Sequence, residues 1–212
     1  MSRKTLVGLL LSLMPLVNSA VRAEPPVPEP LQFEVTPFIG YRVGGNFQLI
    51  DNGQTVHIAD HGSLALAFDV SSADWTQYEL FYDRQSTELT GDSLVRTSVK
   101  VEYLHIGGLV ALAENLHLTP YLGGGLGVTR LTPASALGSD ATRFSASLAL
   151  GLRVPASQHF SLRFEGRGFL TPINTDSAVF CRSDESGALC EVRARGSLFF
   201  QFGLLAGAAY IF

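Results

Sequence analysis

Residues 143–154 read RFSASLALGLRV. Phe144, Ala146, Leu148, Leu150, Leu152 and Val154 share one parity; Arg143, Ser145, Ser147, Ala149, Gly151 and Arg153 share the other. A period of two belongs to a β-strand, whose successive side chains point to opposite faces. The pattern recurs on both sides of this stretch. Phe160, Leu162 and Phe164 alternate with His159, Ser161, Arg163, Glu165 and Arg167, and Leu64, Leu66, Phe68 and Val70 with Ser63, Ala65, Ala67 and Asp69. Val95, Thr97, Val99, Val101 and Tyr103 alternate with Arg96, Ser98, Lys100 and Glu102. Phe33, Val35, Ile39 and Tyr41 stand against Glu34, Thr36 and Arg42, and Tyr78, Leu80 and Tyr82 against Glu79, Phe81 and Asp83. A Gly-rich segment carries Leu118, Leu122, Leu126 and Val128 on one parity, and the last segment carries Phe200, Phe202, Leu204, Tyr210 and Phe212.

These eight segments are each near the ~9–11 residues that cross a bilayer when tilted. Their connections alternate in length. Those near 44–61, 85–94, 130–142 and 171–196 are long and polar; those near 71–74, 111–116 and 155–158 are short. Long loops at one end and tight turns at the other predict an all-β, eight-stranded antiparallel up-and-down transmembrane β-barrel over residues 32–212.

Alternation alone leaves open which face is wet. With hydrophobic residues at 46% and charged residues at 16%, the chain is too apolar for disorder. Its formal charge of -4 argues against nucleic acid as a partner. Yet no stretch after the N-terminus approaches the ~18–20 apolar residues of a membrane helix. The charges on the polar parity nearly balance: Arg42, Arg96, Lys100, Arg143, Arg153, Arg163 and Arg167 against Glu34, Asp69, Glu79, Asp83, Glu102 and Glu165. A narrow lumen needs such balance, because a buried charge without a partner costs several kcal/mol. The cations are almost all Arg, whose planar fork suits enclosed pairs. Lipid therefore bathes the apolar parity, and the charges form a luminal network. A soluble ligand-carrying barrel would need the opposite polarity.

Residues 1–23 read as a secretory signal: Arg3 and Lys4, an apolar core from Leu6 to Val17 broken by Pro15, and cleavage after Ala23. Loss of Arg3, Lys4 and Arg22 leaves the 19 acids in excess over the remaining Lys and Arg. Residues 24–31, with Pro25, Pro26, Pro28 and Pro30, form an extended lead-in.

The chain ends Gly207-Ala208-Ala209-Tyr210-Ile211-Phe212. A Gly, then an aromatic two residues before a terminal Phe, resembles the assembly signal of bacterial outer-membrane barrels. Thr36-Pro37-Phe38-Ile39-Gly40-Tyr41-Arg42, Tyr103-Leu104-His105-Ile106-Gly107-Gly108 and Tyr121-Leu122-Gly123-Gly124-Gly125-Leu126-Gly127 resemble pieces of the small OmpA/OmpX-like and opacity-protein-like barrels. The resemblance implies location in the bacterial outer membrane among lipid and lipopolysaccharide. It also implies insertion by the barrel-assembly machinery, with Gly207, Tyr210 and Phe212 as the signal. It implies no single activity, since members serve as structural anchors, adhesins and stress proteins.

Cys181 and Cys190 are the only cysteines. They share the longest loop of an exported chain, so a disulfide between them is expected. His159 and Ser161, with Glu165, resemble the His-x-Ser pair of lipid A deacylases. Parity sends His159, Ser161 and Glu165 toward the lumen near the periplasmic end, away from the lipid substrate, so no catalytic residue is expected. His57, Asp60 and His61 lie in the first long loop, where their spacing is not a metal site. No metal or cofactor is expected. The glycines of 123–127 are expected to relieve crowding opposite luminal Arg side chains, and Trp75, Tyr78, Tyr103, Tyr121 and Tyr210 to form interfacial girdles. The expected function is structural or interactive, carried by surface loops that meet an unknown ligand, with a lumen plugged by paired charges and no enzyme activity. A narrow pore is the first alternative and a lipid A-modifying enzyme the second.

Overall fold

The computed structural model describes residues 31–49, 55–73, 75–90, 97–113, 117–133, 140–172, 178–184, 187–195 and 198–212. Its twelve strands in chain order are β1 (Phe33–Gly44), β2 (Asn46–Leu49), β3 (Thr55–Ile58), β4 (His61–Ala73), β5 (Thr76–Thr90), β6 (Thr97–Ala111), β7 (Thr119–Pro133), β8 (Ala141–Pro155), β9 (Phe160–Pro172), β10 (Ala178–Asp184), β11 (Gly187–Arg195) and β12 (Leu198–Ile211). Eight of them close a ring in the order β1-β4-β5-β6-β7-β8-β9-β12, every neighbour antiparallel. The seam joins the first strand to the last, with Glu34 opposite Ile211 and Gly44 opposite Gln201. Closure leaves no unpaired edge among these strands, a condition for backbone to sit in hydrocarbon.

The remaining strands extend the wall at the long-loop end. The first loop forms the β2–β3 hairpin and the fourth the β10–β11 hairpin. β11 pairs with β2 through Ala194↔Leu49 and Arg195↔Gln48, and β3 pairs with β5 through His57↔Thr90. At the bend from β1 into β2, Gly44 and Gly45 take φ of 85° and 100°, a left-handed conformation that a side chain resists.

The two faces follow the expected parity in most strands. Leu148, Leu150 and Phe164 point outward and are exposed, whereas Ser145, Ser147, Arg163 and Glu165 point inward and are buried. Outward glycines on β9 are covered from β12: a Cβ at Gly166 would meet the Phe202 ring at 3.1 Å and one at Gly168 the Phe200 ring at 3.3 Å. At the short-turn end the terminal aromatics gather outside the wall, Tyr210 lying 5.0 Å from Phe160 and 4.9 Å from Phe212 between ring centroids. Trp75 and Tyr78 are exposed near the same end.

Three expectations are corrected. The polarity of β6 is inverted at its upper end: Val99, Val101 and Tyr103 face the lumen, while Lys100 and Glu102 face outward. The reason is length. The barrel strands run 12 to 15 residues, more than the ~9–11 a bilayer needs. On β6 the outward apolar residues run only from Leu104 to Val110, and above Leu104 the outer face carries Glu102 and Lys100. Second, Tyr103 and Tyr121 are not girdle residues; they are 0% and 3% exposed inside the lumen. Third, the supposed loop near 85–94 is largely strand, because β5 keeps alternating through Thr90. Residues 1–30, including the expected cleavage site after Ala23, lie outside the described residues.

The boundary of the apolar belt can be measured. Leu148→Arg, midway along β8 on the lipid face, is expected to lower the stability of the folded barrel by about 2–4 kcal/mol, and Thr132→Arg, beyond the belt on β7, by about 0–1 kcal/mol. Urea unfolding in lipid vesicles reads both.

Candidate functional site

Above Gln77 the inward residues of β5, read from the short-turn end, are Glu79, Phe81, Asp83, Gln85, Thr87 and Leu89, all buried. They sample the lumen layer by layer: charge, aromatic ring, charge, amide, hydroxyl, apolar mouth.

Arg163 occupies the lowest charged layer. From β9 its Nη1 donates to Asp69 Oδ2 on β4 at 2.6 Å, Glu34 Oε1 on β1 at 3.2 Å and Thr36 Oγ1 at 3.2 Å. Its Nη2 reaches Glu79 Oε2 on β5 at 3.3 Å and Glu165 Oε2 at 3.5 Å. Arg167, two repeats of the pleat higher, donates from Nε to Glu165 Oε1 and from Nη2 to Glu79 Oε1, each at 2.6 Å. Arg153 on β8 caps the end, its Nη2 lying 2.9 Å from both Glu34 Oε1 and Gln77 Oε1. The Tyr121 hydroxyl donates to Glu165 Oε2 at 2.8 Å. Five strands thus place three guanidinium groups among four carboxylates, and all but Arg153 are buried from bulk water. Bidentate and charge-assisted bonds of this kind are the strong ones.

Aromatic rings separate this layer from the next. The Arg167 guanidinium lies 3.7 Å above the Phe81 ring, and Arg163 is 5.2 Å from Phe38. Tyr103 stacks on Phe169 at 4.1 Å. His105 sits beside them, its Nδ1 2.9 Å from Ser147 Oγ and its Nε2 2.8 Å from Ser145 Oγ. Above, Arg42 pairs with Asp83, donates to Gln201 Oε1 at 3.3 Å, and lies 4.8 Å from the Tyr103 ring. Gln85 donates to the Arg42 carbonyl at 3.2 Å, and Gln201 to the Gly44 carbonyl at 3.2 Å. Toward the loops the inward face turns apolar, with Ile58, Leu89, Val99, Leu131 and Phe199 buried together.

The structure brings together Glu34, Asp69, Glu79, Arg153, Arg163, Glu165 and Arg167, and separately Arg42 with Asp83. Arg143 keeps the inward parity but is half-buried near the mouth, donating to the Thr142 carbonyl at 3.0 Å. Lys100 and Glu102 are excluded from the lumen, because β6 has already left the apolar belt at their height; Glu102 accepts from the Tyr82 hydroxyl at 2.7 Å on the outer face. Arg96 lies outside the described residues. The glycines of β7 make room for a smaller neighbour than Arg: a Cβ at Gly127 would stand 2.6 Å from His105 Cδ2 and 1.9 Å from the Leu104 carbonyl. Sequence reading missed Gln85, Gln201, His105 and Phe169 as luminal residues, although all four share the inward parity of their strands.

His159 and Ser161 are split. The luminal placement expected for His159 is corrected: it lies in the turn before β9 begins, where strand parity does not hold, and stacks outside against Tyr210 at 6.4 Å, while the buried Ser161 hydroxyl has no hydrogen-bond partner among the described residues. His57 and His61 are exposed, and Asp60 accepts from the Gly44 amide at 3.0 Å. Gly207 leaves space for Phe38, whose Cδ1 is 2.6 Å from where a Cβ would be. The Cys181 and Cys190 backbones are directly opposite in the β10–β11 pair; their side chains lie outside the described set.

The family described as outer membrane protein beta-barrel domain matches residues 28–182. No curated protein sequence matches the chain. Among solved structures it is similar to Neisserial surface protein A (NspA), with 12% identity over 85% of this chain and 96% of that one and a TM-score of 0.54. It is also similar to the outer membrane protein OprG from Pseudomonas aeruginosa, with 15% identity over 85% and 95% and a TM-score of 0.54. The outer membrane protein AlkL, solved in lipid bilayers, gives 15% identity over 85% and 90% and a TM-score of 0.53. At such identities these likenesses concern the fold alone.

Removing the central cation tests the lumen. Arg163→Met leaves the buried Asp69 without a cation, and Glu34, Glu79 and Glu165 with only Arg153 and Arg167 between them, and is expected to destabilise the folded barrel by roughly 3–5 kcal/mol. Adding Asp69→Asn to that variant is expected to recover part of the loss, read by urea unfolding in vesicles.

Proposed function

Because the chain belongs to the outer membrane protein beta-barrel domain family, we propose that it serves as a closed barrel in a structural or surface-interaction role carried by its extracellular loops. Its location is the bacterial outer membrane, in contact with lipid and lipopolysaccharide. The observation that supports a closed lumen is the burial of three guanidinium groups along its axis: Arg42 and Arg163 are 0% exposed and Arg167 1%. Each is neutralised by acids on strands across the ring. A solute would have to displace charge pairs whose partners then stand unpaired in a low dielectric.

The loop end is built to project. The β10–β11 hairpin is joined through β2 and β3 to β5, so two loops share one sheet above the membrane. Within this reading, Cys181 and Cys190 form a disulfide. Opposed residues of an antiparallel pair stand ~4.5–5.5 Å apart at Cα, a separation a disulfide spans. The bridge stiffens the hairpin that a surface ligand would touch. Export with cleavage after Ala23, and insertion by the barrel-assembly machinery reading Gly207, Tyr210 and Phe212, complete the proposal.

The competing reading is a narrow pore, favoured by charged residues that recur from Glu34 near one end to Arg42 near the other. Planar-bilayer recording separates the two. The wild type is expected to show no sustained open conductance, and Arg42→Ala with Asp83→Ala to raise brief openings. A steady wild-type conductance altered by Arg163→Ala would establish the pore instead. For the hairpin, alkylation of the unfolded, unreduced protein is expected to label neither cysteine and to label both after reduction. Equal labelling in both conditions would remove the disulfide.

A further inference from the structure

The apolar residues at the loop-bearing mouth of the lumen take no part in the ion layers. Leu89 on β5, Val99 on β6, Leu131 on β7, Ala141 on β8 and Phe199 on β12 point inward, each at most 5% exposed. On β5, Asp83 lies three repeats of the pleat below Leu89. Ile58 joins this layer from the first loop; it is buried and stands opposite Leu89 in the β3–β5 pair. It alone among them is carried by a loop and not by a strand of the ring. The loop is bent over to bring it there. Gly44 and Gly45 turn the chain out of β1 with positive φ, and a Cβ at Gly45 would stand 2.8 Å from Phe199 Cε2. Hydrogen bonds pin the far end of the loop. The Ile58 amide donates to the Gly45 carbonyl at 2.7 Å, the Ala59 amide to the Glu88 carbonyl at 2.9 Å, and the Gly44 amide to Asp60 Oδ1 at 3.0 Å. Gln85 Nε2 donates to the His61 carbonyl at 3.1 Å, and Thr87 Oγ1 to the Ala59 carbonyl. The inward-parity Arg143 near the mouth donates to the Thr142 carbonyl and stays half-buried.

We propose that the segment from Ile58 to His61 is a lid, closing the lumen with an apolar seal that is separate from the ion pairs. Water and ions cross an apolar constriction only at a high cost in free energy, because nothing in it replaces their hydration. Directly beneath the seal the lumen is polar. The Thr129 and Thr171 hydroxyls lie 2.8 Å apart, and Gln201 donates to Gln85 at 3.3 Å. The other residues of the seal belong to a wall closed by pairing on both sides. The lid is held by hydrogen bonds and one buried aliphatic side chain, with two glycines at its root. It is therefore the part of the mouth that can lift, as a local opening that leaves the ring intact. Lifting it would admit water as far as Arg42 and leave the Arg163 layer shut. The proposal deepens the closed-lumen reading by giving it a second, movable closure.

The test is thiol labelling of the folded barrel in detergent micelles, with Cys181→Ser and Cys190→Ser as the background. Thr129→Cys, inward and one repeat below Leu131 on β7, reports the space under the lid; Thr142→Cys, exposed at the top of β8, is the reference. A charged methanethiosulfonate is expected to react with the Thr129→Cys thiol at least about a hundredfold more slowly than with the Thr142→Cys thiol, as for a site reached only through local opening. Adding Ile58→Ser is expected to speed the slow reaction at least about tenfold, the factor that burial of one aliphatic side chain corresponds to. The milder Ile58→Ala is expected to speed it too, and Ile58→Val to leave it slow. Adding Arg42→Ala with Asp83→Ala is also expected to leave it slow, since the lid stays in place. Equal rates at the two probes with the lid intact would overturn the proposal, as would a rate that neither Ile58→Ser nor Ile58→Ala raises. Fast labelling on removal of Arg42 and Asp83 alone would assign the closure to the ions and overturn it as well. The two-probe comparison and the Arg42→Ala, Asp83→Ala variant decide even if Ile58→Ser does not fold. Planar-bilayer conductance reads the ion layers below, so the closed-lumen reading stands or falls separately.

Discussion

Arg163 is the point on which the lumen turns. Carboxylates from β1, β4, β5 and β9 converge on its guanidinium, and the side chain is fully buried. A ring of eight strands leaves an interior that side chains fill, and the lipid outside offers no water to rescue a misplaced charge. Four acids so close together would repel one another strongly without a cation at their centre. The remaining luminal parts fit around that requirement. Arg153 and Arg167 share the acids that Arg163 cannot fully neutralise, and Phe38, Phe81 and Tyr121 offer ring faces to the same cations.

The outer surface obeys a different constraint, which changes with height. Along β8, β9 and β12 the outside is apolar over the whole crossing, since acyl chains are its solvent. On β5, β6 and β7 the strands outrun the belt, and Arg84, Glu102 and Arg130 take over. Inside, the sequence of environments runs the other way: charge deep in the membrane, apolar side chains such as Leu89, Val99 and Leu131 near the loops. The upper wall therefore has the polarity of a water-soluble barrel and the lower wall that of a membrane barrel, within the same strands.

This change of polarity explains what could be read from the chain alone. β8 and β9 were legible because lipid and lumen impose opposite demands at every residue from Phe144 to Val154 and from Phe160 to Arg167. β6 was misread because Val99 and Val101 alternate with Lys100 and Glu102 as cleanly as any lipid-facing strand, while the faces have exchanged roles. Nothing local marks that exchange; it becomes visible when the strand is laid beside Tyr82 and Val128. Tyr103 and Tyr121 were misplaced for a related reason. A tyrosine suits a membrane interface or a luminal bond equally well, and the choice here is made by Phe169 and Glu165 on another strand. The charged residues could be enumerated from the sequence, but which Arg lies at the centre is a property of the closed ring.

The seam between β1 and β12 has a kinetic consequence. Every other backbone pairing of the ring joins barrel strands that follow one another through a turn or loop, so those hairpins can form as the chain arrives. The seam pairs residues separated by nearly the whole domain, such as Glu34 and Ile211, and loop closure over that distance is entropically slow. Arg163 and Glu34 stand on opposite sides of it. The ion pair that spans the seam, like the enclosure of the charges around it, is complete only in the closed cylinder, so sealing the wall and drying the lumen are tied to the same contact.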